Sequence, residues 1–364
     1  MRSRVATVLT AAAALLVMAA SDAPGTDSQE PAGDPRPAAP PFTIAVLPDT
    51  QYEVSRARSP ERNVFSAQTA WLATQRARLD LRLVVHEGDV VDDRCSARQW
   101  QVASAAMARL DGQVPWTVLA GNHDLVDYQH RCAGRTSRFA AVFSPERLER
   151  AASTTWGGAR RSAGAVDSWH RIRWGGNGPV GADIIVVSLR YGPDAAAVAW
   201  ARDVIQSHPD ATVILVTHDY LDADGRLRGA APHRQLQLPR RPAQVDGVGL
   251  WRQLVAPNPN VRLVLSGHVV QCAGEPPGVE HPGAGCRRTG VAARRTTRRA
   301  DGSTVTQLLA NYQVRMDGGG GFLRLLQLDP AARTVGVTTW SPTRRAPLTD
   351  PGNRFVLRDI DLGA

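Results

Sequence analysis

The chain of 364 residues has no lysine: all 43 basic residues are arginine, set against 34 acidic ones, for a formal charge of +9. A GC-rich coding bias accounts for that, so the charge specifies no partner by itself. Cysteine is scarce, with four residues and no pair at CxxC spacing, which argues against a cysteine zinc site. Aromatic residues make up only 5%. None interleaves the densest basic stretch, Arg287, Arg288, Arg294, Arg295, Arg298 and Arg299, so no nucleic-acid-binding motif is present. We read that stretch as a solvated loop; the alternative is a patch that draws phosphorylated substrates or an anionic surface. GxSxG, Walker A and dinucleotide glycine motifs are absent, which leaves serine hydrolase, ATPase and Rossmann dehydrogenase readings without support. There is no internal repeat.

The one long apolar stretch is N-terminal, Val5 to Ala20, preceded by Arg2 and Arg4 and followed by Ser21 and Asp22. It reads as an export signal over residues 1–20, and the alternative is a membrane anchor. The stretch is short for a span, and no later segment approaches the ~20 apolar residues that a transmembrane helix needs. The two arginines are not adjacent and no cysteine lies near the cleavage region, which points to a secreted protein of the Sec type. Residues 21–41 carry six prolines and no apolar periodicity, a linker that cannot build a core. The folded domain is therefore expected over 42–362. In an exported chain an even cysteine count favours disulfides. Of three possible pairings we expect Cys95–Cys132 with Cys272–Cys286, with reduced thiols as the alternative.

Five short β-branched runs each end on a residue able to bind a metal. Asp49 closes TIAVLPD, Asp89 closes LRLVVHEGD, Asn122 closes WTVLAGN, His218 closes TVILVTH and His268 closes VRLVLSGH. Ligands of open α/β sheets gather outside the carboxyl ends of the strands, so these residues are expected to converge. Two Asp, one Asn and two His form an oxygen-and-nitrogen set suited to divalent metals. Helices are expected at 64–79, 97–110 and 194–208, with a short one near Leu250 to Leu254. Strands alternating with helices imply parallel pairing and an α/β core. Residues 127–180 are expected to be an irregular excursion over the ligand face. Runs at 183–189, 304–310, 322–328, 334–340 and 354–361 read as later strands, the last four being those that a second sheet would use. His86 reads as a packed or supporting residue, and His130, His170, His208 and His233 as surface residues.

Gly88-Asp89-Val90-Val91-Asp92 and Gly121-Asn122-His123-Asp124, together with Asp49, His218 and Gly267-His268, resemble the calcineurin-like metallophosphoesterases in motif order and spacing. The resemblance covers roughly residues 43 to 270. A secreted bacterial-type subgroup extends it through LRYGP, AWARDVI, LLANYQ, GGGGFLRLL and TTWSP to about residue 342. It implies a four-layer α/β/β/α sandwich of two mixed sheets flanked by helices, holding divalent ions such as Mn, Zn or Fe. It implies that Asp49 and Gln51 hold a first metal, and that Asp89 bridges two. It implies that Asn122, His218 and His268 complete the ligands of the second metal. His123 assists the leaving oxygen, and Asp124 orients His123. Asp92 supports its loop. The implied reaction is hydrolysis of a phosphomonoester or phosphodiester by attack of metal-bound hydroxide.

Two departures fall on the first metal. The family pattern Asp-x-His stands here as Asp49-Thr50-Gln51, and Gly-His-x-His stands as Gly267-His268-Val269-Val270. Gln offers a weak neutral oxygen and Val offers nothing, so one ion is expected to be held firmly and the other weakly. Gln271, His281 or Gln313 are candidates for the missing ligand. A binding protein that kept the fold and lost catalysis is the rival reading. Substrate identity and oligomeric state are not encoded in any motif we can read.

Overall fold

The computed structural model describes residues 40–125, 137–162, 164–175, 182–229, 244–272 and 288–363. The expected export signal, nearly all of the expected linker, and Cys132, Cys286, His130, His233 and His281 lie outside them. Among the described residues no cysteine is free, and no helix is long and apolar enough to cross a membrane.

β1 (Phe42–Leu47), β2 (Leu81–His86) and β3 (Trp116–Val118) pair in parallel. β4 (Trp156–Ser162) and β5 (Ala165–Trp174) form a hairpin that joins β6 (Ala182–Leu189) antiparallel. β6, β7 (Thr212–Thr217) and β8 (Val261–Ser266) run parallel. β9 (Gln271–Cys272) pairs antiparallel with β10 (Arg288–Thr289). β11 (Val291–Arg298) folds back on β12 (Thr304–Asn311), which lies parallel to β8. The chain then returns to the first sheet: β13 (Leu323–Asp329) pairs antiparallel with β1, followed by β14 (Thr334–Ser341), β15 (Ala346–Leu348) and β16 (Arg354–Leu357). Two mixed seven-stranded sheets result, ordered β15-β14-β13-β1-β2-β3, with β16 on β14, and β11-β12-β8-β7-β6-β5-β4.

Side chains two residues apart on a strand share a face, and the buried clusters follow that period. Phe42, Ile44 and Val46 of β1 and Leu83 and Val85 of β2 meet Ile184, Ile214, Val216, Leu263 and Leu265 between the sheets. The opposite faces, Ala45, Leu47 and Val84, pack under Phe65, Leu72, Trp100 and Val102 of helices Val64–Gln75 and Ala97–Ala108. Ile185, Val187, Val213 and Leu215 pack under Val198, Ala201 and Ile205 of helix Ala195–Gln206 and under Leu250 and Leu254. Helix, sheet, sheet, helix is the four-layer arrangement that the family resemblance implied. Asn63, Ser96, Asp194 and Asp246 each cap a helix by accepting a backbone N–H, each cap contributing about 1 kcal/mol.

Several expectations change. The first long helix stops at Gln75 because the chain must turn into β2: Leu81 N–H donates to Arg76 at 2.9 Å and Asp80 takes φ 42°. The span 127–180 is not irregular where described. It holds helices Phe139–Val142 and Pro145–Ala152, then the β4–β5 hairpin. His170 is fully buried in β5 rather than on the surface, and His208 is half-buried. The later strands divide between both sheets, β12 joining one and β13, β14 and β16 the other. The arginine-rich stretch is a strand, not a loop, over Val291–Arg298, with Arg294 stacked over Phe355 and Arg299 buried, donating to the Val255 and Val261 carbonyls.

Candidate metal centre

Register brings the strand ends together. Leu47 pairs with His86 and His86 with Val118, so the chain leaves β1, β2 and β3 side by side, carrying Asp49, Asp89 and Asn122. In the second sheet Val216 pairs with Leu265, and Gly267 N–H donates to the His218 carbonyl at 3.0 Å. The two sheets meet at these ends. His268 N–H donates to both Asp49 oxygens at 3.1 and 3.2 Å, and His123 N–H donates to Asp89 Oδ1 at 2.9 Å. Only glycine fits at position 121, where a Cβ would overlap the Asp89 carboxylate, and at 267, where it would overlap Asp49 Oδ2. Asp49, Asp89 and His268 adopt left-handed backbone at φ 34°, 52° and 68°, conformations that cost non-glycine residues about 1–3 kcal/mol. Such local cost is typical of sites whose geometry serves a ligand.

One ligand atom from each of Asp89, His218 and His268 lies within 4.8 Å of the others. His218 Nε2 is 2.9 Å from Asn122 Oδ1 and 3.3 Å from Asp89 Oδ1, while its Nδ1 donates to the Glu87 carbonyl at 2.8 Å. That backbone bond fixes the ring so that Nε2 faces the cluster. Burial opposes charge on His218, yet Asp89 raises it to about 10. Burial pushes Asp89 upward, but His218 and His123 hold it well below the usual range. Asp49 is driven well above its usual range by burial, with His218 opposing and Asp89 adding to the rise. Burial takes His268 down to about 4.

The donor set fits a divalent cation. A proton on His218 holds Asp89 and Asn122 in place, and a cation at the same point carries more charge to the same oxygens. Gln51 is fully buried, and among the described residues neither its Oε1 nor its Nε2 has a hydrogen-bond partner. A buried amide left in this state costs about 1–3 kcal/mol, a cost that a ligand for its oxygen removes. Val270, which stands where the family pattern has its second histidine, is half-buried, and its aliphatic side chain has no atom to offer a metal. Of the substitute ligands, Gln271 lies in β9. Gln313 is buried with an unpartnered Oε1, two residues beyond the strand paired to β8.

Two roles differ from expectation. Asp124 does not reach His123. Its oxygens accept from the N–H groups of Val90, Val91 and Gly121 at 2.8–3.2 Å, bracing both motif turns. Neighbours at i and i+1 of a helical turn point apart, which is why this carboxylate is directed elsewhere. Asp92 takes the orienting position: His123 Nδ1 is 3.1 Å from its carbonyl and 3.4 Å from its carboxylate. Burial lowers the His123 pKa, but Asp89 and Asp92 bring it to about 9. His86 is buried as expected, 2.9 Å from Thr50 Oγ1, and accepts from Gly88 N–H at 3.1 Å. Sequence reasoning passed over Asp219, beside His218, which lies 4.0 Å from His268.

Fold and site together define a two-sheet α/β protein with a candidate divalent-metal centre at converging strand ends. The family model for calcineurin-like phosphoesterases matches residues 42–272, and the chain belongs to that family. It is 32% identical over 303 residues to the uncharacterized protein YvnB of Bacillus subtilis (strain 168), covering 83% of this chain and 20% of that one, so it spans about a fifth of the relative's length. Its fold is similar to that of purple acid phosphatase PPD1 from yellow lupin seeds, with TM-score 0.50, 11% identity, and coverage of 88% of this chain and 54% of that one. Family membership and the donor set support a metal-dependent phosphoesterase.

Proposed function

We propose that this chain is an exported phosphoesterase that hydrolyses a phosphomonoester or phosphodiester with divalent ions held by Asp49, Gln51, Asp89, Asn122, His218 and His268. The convergence of Asp89, His218 and His268 carries the reading. Bound there, divalent ions act as Lewis acids, lower the pKa of water and clamp phosphoryl oxygens. The chain's own groups supply the rest. Asn122 and the histidines are neutral ligands, which leaves the cluster positive toward phosphate. Hydrolysis adds water across the P–O bond, so the departing oxygen needs a proton. His123 is the group placed to give one, with Nδ1 held by Asp92 and Nε2 as the nitrogen that transfers. Asp124 keeps the turns that carry Asp89 and Asn122 in register.

The same reading has the mature chain secreted after loss of its apolar N-terminus, with Cys95–Cys132 and Cys272–Cys286 paired; peptide mapping without reductant checks the pairing. The experiment that tests the activity is hydrolysis of mono- and diester p-nitrophenyl substrates with Mn, Zn or Fe, with and without chelator. No turnover with any ion would favour the second reading, a binding protein on the same fold. The observation behind that alternative is the buried, unpartnered Gln51 at a position where the family pattern has histidine.

A further inference from the structure

We infer that Asp219 positions His268 for metal binding, with Arg228 holding Asp219 in place; the inference rests on the metal-centre reading above. His218 and Asp219 follow the end of β7 at consecutive positions. His218 turns toward Asn122 and Asp89, and Asp219 turns the other way, its Oδ2 4.0 Å from His268 Nε2. The Arg228 guanidinium grips this carboxylate, Nε lying 3.0 Å from Oδ1 and 3.3 Å from Oδ2. Its NH1 is 3.6 Å from Asp222 Oδ2. All three side chains are wholly buried.

Taking three charges out of water is costly before pairing, so a buried cluster of this kind is poor evidence of a stabilising role. Its placement points to a different one. Asp219, held by Arg228, lies directly behind His268. A carboxylate behind the distal nitrogen of a ligating histidine fixes the ring's tautomer and raises the basicity of the other nitrogen. With Nε2–H turned toward Asp219, Nδ1 becomes the ligating atom of His268. This is the mirror of His218, where the Glu87 carbonyl occupies Nδ1 and leaves Nε2 to the cluster. The backbone holds the device firmly. Arg228 N–H donates to the Tyr220 carbonyl at 3.0 Å and Val248 N–H to the Arg228 carbonyl at 2.9 Å.

Zinc titration of the chelator-treated full chain by calorimetry tests the assignment. Asp219→Asn should loosen zinc by about 10- to 100-fold. Asp222→Asn, which changes the other carboxylate on the same arginine, should stay within about threefold of wild type. Long-range proton–nitrogen spectra of the zinc-loaded wild type need no variant to fold, and should show His268 bound through Nδ1 with Nε2 protonated. Wild-type affinity in Asp219→Asn, equal loosening in both variants, or coordination through His268 Nε2 overturns the inference. A wild type that takes up no zinc, manganese or iron sinks the metal-centre reading instead.

Discussion

The backbone N–H of His268 donates to both carboxylate oxygens of Asp49, joining the end of β8 in one sheet to the end of β1 in the other. Both residues sit in left-handed backbone, so this junction is held at a cost. Asp49 is also a buried carboxylate beside a second one, and burial disfavours its charge. Asp49→Asn keeps an oxygen for the His268 N–H and removes the charge. The metal-free variant should therefore be more stable than wild type by about 1 kcal/mol or more in urea unfolding, while its metal content falls. A less stable metal-free variant would mean that the carboxylate is there for the fold rather than for the ion.

His123 and Asp92 separate proton delivery from metal binding. His123→Ala should lower turnover on aryl phosphates by about 10²- to 10⁴-fold, the usual range for loss of a general acid, with bound metal unchanged. Asp92→Asn keeps the carbonyl contact at 3.1 Å and changes only the carboxylate contact at 3.4 Å. Its loss should be smaller, about tenfold. Turnover measured beside metal analysis decides the matter; equal turnover in His123→Ala and wild type removes the role.

The two metals should leave at different chelator concentrations. On the proposed assignment Asp89, Asn122, His218 and His268 would hold one ion, whereas Gln51 would offer the other an amide where the family pattern has histidine. Gln51→His should tighten the weaker ion by about tenfold, read as a second bound equivalent surviving dialysis. Two equally tight ions in the wild type would show that a residue outside this set completes the shell.

The ligand-bearing strand ends were legible because each combined an apolar β-branched run with a coordinating residue, and parallel strands deliver such ends to one edge. The β4–β5 hairpin was not legible. Trp156–Ser162 is rich in Gly and Arg, and β5 buries Asp167, Ser168 and His170 without apolar alternation. Those polar groups are tolerated through contacts with distant residues: Ser168 with Thr117 at 3.0 Å, and Asp167 with Arg190 N–H at 3.0 Å. The arginines of β11 misled for another reason. An edge strand keeps charges to discourage pairing with other chains, so composition alone resembled a solvated loop. Asp124 shows the same limit at the site, since its position beside His123 says nothing of where its oxygens point.

His170 gives a pH signature separate from the metal centre. It is buried in β5 with Nδ1 lacking a partner, and burial brings its pKa down to about 3 from 6.5. The unfolded chain takes up this proton below about pH 6.5, whereas the folded chain resists it until about pH 3. Stability from this residue is therefore intact above the unfolded value and declines as pH falls toward the folded one. Asp167 works in the opposite sense, because burial raises it to about 6 and favours the folded state as pH falls through that value. Comparing variants at two pH values cancels Asp167 and every other shared group. His170→Leu fills similar space without a titrating ring, so at pH 7 its stability should lie within about 1 kcal/mol of wild type. At pH 4.5 it should exceed wild type by about 2–3 kcal/mol. Urea unfolding at both values reads the difference, and an equal gap at pH 7 and pH 4.5 would show that His170 is protonated as readily in the folded chain as in the unfolded one.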